Sequence, residues 1–121
     1  MSVTANITTD AEWFVGEDKT LTFTVVDANN VTVDISGWSL EWDLRLTRYN
    51  PTVLLTKDTS AGIVVDPDQV TNKGKFYVQV DRSDTTGLKA GTYYHAAART
   101  NTGNFDVVSE GSAVLRKAAA R

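Results

Sequence analysis

The side chains of this 121-residue chain that could do chemistry fall into a few small sets. His95 is the only histidine, so any Ser–His–Asp nucleophile or His-ligated metal would have to use it. No Gly-x-Ser-x-Gly or His-Glu-x-x-His pattern accompanies it, and the simpler reading of His95 is a strand residue. Asp66, Asp68 and Asn72, or Asp81 with Asp84, supply oxygen ligands of the kind calcium takes, but neither set has calcium-loop spacing. Asp66-Pro67-Asp68 reads more simply as a turn. Trp13, Tyr49, Tyr77 and Tyr94 are rings on which a sugar could stack. Trp13 and Tyr49 adjoin turns, where a binding surface tends to lie, and are the candidate surface or adhesion aromatics. The glycines are scattered singly, without a phosphate-cradling loop. No catalytic residue, cofactor-binding residue or metal ligand is assigned, and the expectation is a non-enzyme without a cofactor.

Composition narrows the classes further. Hydrophobic residues make up 41% and charged residues 22%, the balance of an ordinary globular domain. The formal charge of −3 argues against nucleic acid, whose partners carry basic patches. The absence of cysteine removes disulfides, thiolate metal sites and thiol nucleophiles, and leaves the compartment open. No apolar run approaches the ~20 residues that span a bilayer, and the first residues lack the basic start and apolar core of a signal peptide, so no membrane association is expected.

The elements that must position these residues are strands. From Trp38 to Leu46 the chain alternates, with Trp38, Leu40, Trp42, Leu44 and Leu46 on one side and Ser39, Glu41, Asp43, Arg45 and Thr47 on the other. Side chains alternate across a strand, so this predicts one buried and one wet face. The charges of Glu41, Asp43 and Arg45 then form a solvated sheet face, or an interface rim of mixed sign. Leu21, Phe23 and Val25 alternate with threonines, and Phe76, Val78 and Val80 with Tyr77 and Gln79. A split first strand is expected over Val3, Ala5 and Ile7 and then Trp13–Val15. Short strands are expected at Val53–Thr56 and Ile63–Val65, and one helical turn within Arg82–Lys89. A strand of small residues covers Gly91–Thr100, a hairpin turn Asn101–Asn104, and a last strand Phe105–Arg116 with a bulge at Glu110-Gly111-Ser112. Turn signals recur at roughly 8–12-residue intervals, which predicts an all-β, two-sheet antiparallel β-sandwich of about seven to nine strands. Residues 1–116 form the single domain and 117–121 a short C-terminal tail.

Leu88-Lys89-Ala90-Gly91-Thr92-Tyr93 resembles a tyrosine corner, which makes the expected sandwich immunoglobulin-like, with Trp38 or Trp42 as its central tryptophan. His95 then stands where immunoglobulin domains carry a cysteine. Three segments extend the resemblance: Gly16–Val25 with Asp27, Val33–Trp38 with Trp42, and Leu88–Tyr94. In this order they resemble the small immunoglobulin-like structural proteins of tailed bacteriophages, and are similar in particular to the N-terminal domain of upper baseplate proteins. The resemblance covers about residues 12–116. It implies a non-enzymatic virion protein that docks onto tail, baseplate, fibre or capsid components, in many copies or as a homo-oligomer. The chain ends at Arg121 without a long receptor-binding portion, so the expectation is an accessory piece located in the virion. The other expectation is a carbohydrate-binding or host-adhesion module using exposed aromatics.

Overall fold

The computed structural model describes residues 7–103 and 105–117. The expected pieces at Val3, Ala5, Asn104 and 118–121 lie outside them. The chain is all-β in two sheets, with strands β1 (Ile7–Thr8), β2 (Ala11–Phe14), β3 (Lys19–Thr24), β4 (Leu40–Arg45), β5 (Val53–Asp58), β6 (Ile63–Val65), β7 (Lys75–Val80), β8 (Gly91–Arg99) and β9 (Asp106–Arg116). The larger sheet runs β1-β9-β8-β4-β5, with β2 also on β9, and the smaller runs β3-β7-β6. β1 and β2 pair with β9 in parallel; the other ladders are antiparallel.

Alternation decides what faces inward. Leu40, Trp42 and Leu44 of β4 are fully buried, and oppose Leu21 and Phe23 of β3 with Phe76, Val78 and Val80 of β7 in one apolar cluster. Phe23 lies opposite Phe76 in the ladder, and their rings stack at 5.1 Å. Burying rings of this size removes ~150–250 Å² each from water, the largest contributions any residues here can make. Trp42 is the tryptophan of this stretch that lies wholly inside the cluster.

The inward face of this stretch is shorter than the alternation predicts. Trp38 is only partly buried: its ring lies beneath the Arg99 guanidinium, 4.1 Å from the ring centroid. Leu46 is 53% exposed, because the strand ends at Arg45 after a register shift against β5. The bulge also lies elsewhere. Ala97 faces Ser109 and Ala98 faces Val107, so Val108 is the extra residue, while 110–112 pair without interruption. Gly111 has a different duty. A Cβ there would sit 2.2 Å from the Thr9 carbonyl oxygen, so only glycine lets the N-terminal segment cross β9 between β1 and β2.

The expected helical turn is α1 (Arg82–Thr85). Asp84 Oδ2 accepts from the Asp81 amide at 2.7 Å, and Asp18 accepts from the Arg82 amide and guanidinium. Buried Thr85 accepts from the Gly16 amide at 2.9 Å, which ties α1 across the end of the sandwich.

Candidate functional site

His95 is fully buried, with both ring nitrogens engaged. Trp42 Nε1–H donates to Nδ1 at 3.0 Å, so Nε2 carries the proton and donates to the Thr9 carbonyl oxygen at 2.6 Å. Burial pushes its pKa below 6.5, against the opposing pull of the Thr9 carbonyl and Asp10. A polar seam of about 260 Å³ opens beside it, between Thr9–Glu12 and Lys19–Phe23. A ring with no free lone pair offers that seam no general base.

The carboxylates considered for calcium are used by their own loops. Asp66 accepts from the Tyr77 hydroxyl at 2.5 Å and the Asp68 amide at 2.8 Å, which hold its pKa down. Asp68 accepts from the Val70 and Thr71 amides. Asp84 serves α1 and pairs with Lys57 at 2.8 Å. Among the described residues no group of three or more His, Asp or Glu could hold a metal ion.

The aromatics separate. Trp13 is 2% exposed and belongs to the core, so it is no surface aromatic: β2 turns its inward position onto the apolar cluster beside β9. Tyr77 points its hydroxyl at Asp66 on the smaller sheet. Tyr49, 86% exposed, comes together with Tyr94, and the Arg48 guanidinium lies 5.5 Å from one ring centre and 5.9 Å from the other. Arg48 also pairs with Glu110 at 2.8 Å. Burial and the Glu110 carboxylate push the Tyr94 hydroxyl up to about 12.

These two rings close one end of a trough of about 250 Å³ on the outer face of the larger sheet. The register explains it. Glu41, Ala98 and Val107 form one row across β4, β8 and β9, and Asp43, Ala96 and Glu110 form the next. The alanines make a low floor along β8, with longer side chains on either flank. Phe105, 73% exposed, stands at the other end.

Charge along the walls is unevenly satisfied. Arg45 pairs with Asp43 at 3.2 Å and also donates to the Asn50 carbonyl. Arg48 answers Glu110. Glu41 faces Asp58 across the ladder and Asp43 along its own strand. Burial first, and then the Asp43 carboxylate, raise its pKa, against the opposing Arg45 charge. Glu41, Asp43 and Glu110 against Arg45 and Arg48 leave the trough lining with an excess of one negative group.

Sequence patterning marks the small residues of β8 and the mixed charges of β4 but leaves Phe105, Arg48 and Glu110 unremarked as a group. Their signal is the two alanines spaced by two on a strand, and it becomes legible only once the neighbours on each side are known. No protein-family model matches the chain, and no curated protein matches it significantly.

Proposed function

We propose that this chain is a non-enzymatic structural module of a bacteriophage virion, an immunoglobulin-like sandwich that docks onto other virion proteins. The trough carries this reading: a low alanine floor, exposed aromatics at its ends and mixed charge on its walls suit contact with a protein partner. The immunoglobulin-like part is supported by strand order, with the N-terminal segment parallel to the last strand in one sheet and β3-β7-β6 in the other. It is further supported by the Tyr93 hydroxyl, which donates to the Lys89 carbonyl at 2.6 Å in the manner of a tyrosine corner. Trp42 takes the central tryptophan position and His95 the position of the cysteine. The virion assignment rests on the resemblance of the Gly16–Val25, Val33–Trp38 and Leu88–Tyr94 segments to tailed-phage structural proteins. Symmetric particles repeat their sites, so many copies per particle are expected.

Immunogold labelling of purified particles with an antibody to this chain tests the assignment. Label at a regular position on tail or capsid supports it, and particles without the chain overturn it. Carbohydrate binding is the second reading, favoured by the grouping of Tyr49, Tyr94 and Phe105 at one trough. A glycan array distinguishes it: specific binding lost in Tyr49→Ala and Phe105→Ala would replace protein docking with adhesion.

A further inference from the structure

We propose that the trough is the docking site for an extended basic segment of a partner protein, which lays one lysine or arginine side chain over Ala96 and Ala98 between Glu41, Asp43 and Glu110. This names the partner's chemistry for the docking surface above and rests on that reading.

Size is the first argument. At about 250 Å³ the trough falls below the roughly 300–1,000 Å³ of pockets that enclose drug-sized ligands. One long side chain on an extended backbone suits a shallow channel along a strand. An aliphatic stem can lie on the alanine methyls while its charged head reaches the walls.

Charge is the second. Both arginines lining the trough already have anionic partners, Asp43 and Glu110. Glu41 is left facing Asp43 and Asp58, two groups of its own sign. A guest cation would relieve that repulsion and gain charge-assisted hydrogen bonds. An acidic segment would instead add a further negative charge beside Glu41 and its like-charged neighbours Asp43 and Asp58. Tyr49 and Phe105, exposed at the ends, offer ring faces to a flanking cation or apolar side chain.

The test is a titration of the ¹⁵N-labelled full chain, followed by amide shifts, with the capped peptide Ala-Ala-Arg-Ala-Ala at neutral pH. Saturable shifts are expected at Glu41, Asp43, Ala96 and Ala98, and none of them with glutamine replacing arginine in the peptide. Glu41→Gln, which removes like-charge repulsion and so preserves the fold, weakens binding about tenfold. Ala98→Leu raises the floor and abolishes the shifts while Glu41 stays in place. Equal responses to both peptides, shifts confined to another face, or saturation by a simple sugar in place of the arginine peptide would overturn the inference. Particles that carry the chain, together with no arginine-dependent shift, would overturn this inference and leave virion docking standing. Arginine-dependent shifts with no chain in the particles would do the reverse.

Discussion

The Trp42 indole donates to His95 Nδ1 at 3.0 Å, and through that bond fixes which nitrogen of the ring holds the proton. The other nitrogen reaches the Thr9 carbonyl at 2.6 Å, so one neutral imidazole joins β4, β8 and the N-terminal segment. Around it, Ser109 Oγ donates to Thr9 Oγ1 at 2.6 Å, and the Thr9 amide donates to the Glu110 carbonyl at 2.9 Å. This polar cluster ties β4, β8, β9 and the N-terminal segment of the larger sheet together through side chains.

Replacing His95 with alanine leaves the Trp42 N–H and the Thr9 carbonyl without partners and opens a cavity between Phe23 and Trp42. The expected loss is about 3 kcal/mol of unfolding free energy. Urea denaturation measures it, and a loss within error of wild type would mean that the ring carries little.

The same residue sets a pH dependence. Its folded-state pKa lies below 6.5, so as pH falls the unfolded chain takes up the proton first. Stability is full above about 6.5 and declines as pH falls from there to the depressed folded value. The lowered carboxyls Asp18, Asp34, Asp66 and Asp68 act in a separate window, below 3.8. Urea midpoints compared between neutral and mildly acid pH should fall for wild type and hold for His95→Gln.

Gly111→Ala forces a Cβ against the Thr9 carbonyl, and the N-terminal crossing must shift. A destabilisation of about 1–3 kcal/mol is expected, the range of overpacked sites. Hydrogen exchange should quicken first in β1 and β2. Gly87→Ala, with nothing within 4 Å of its added Cβ, is the control and should melt as wild type does.

Gln69 clamps two loops. Its Oε1 accepts from the Ile35 amide at 3.1 Å and the Gly74 amide at 2.9 Å, while Nε2 donates to the Asp66 carbonyl at 2.8 Å. Gln69→Leu orphans these buried groups and should cost about 3 kcal/mol. Gln69→Glu keeps the acceptor and loses the donor, so it should retain more of the stability in the same thermal melt.

Tyr93→Phe removes the hydroxyl bonded to the Lys89 carbonyl and leaves the ring in place. About 1 kcal/mol is expected from urea curves at unchanged slope.

Much of the fold was legible because alternation is a local signal. Leu21–Phe23, Leu40–Leu44 and Phe76–Val80 are inward-facing strand positions by pattern alone, and the helical turn falls within the expected Arg82–Lys89. The errors arise where distant residues decide. Leu46 continues the alternation in sequence, yet β4 has already lost register with β5. Glu110-Gly111-Ser112 looks like an interruption because glycine breaks strands, but here glycine makes room for the backbone of Thr9, between β1 and β2. Trp13 sits beside a turn, as an exposed aromatic would, and is buried by its parallel pairing with β9, which no local pattern encodes. The trough was hidden for the same reason: Ala96, Glu41 and Glu110 become neighbours only through the ladders of β8.

The parallel pairing of β1 and β2 with β9 also fixes how the molecule answers mechanical force. In such a pair the leading end of one strand and the trailing end of the other lie at opposite poles. Tension applied through the segments flanking β1 and β9 therefore shears the whole row of inter-strand bonds at once, where an antiparallel pair would unzip bond by bond. Single-molecule pulling on the two ends should give a high rupture force, reduced in Gly111→Ala.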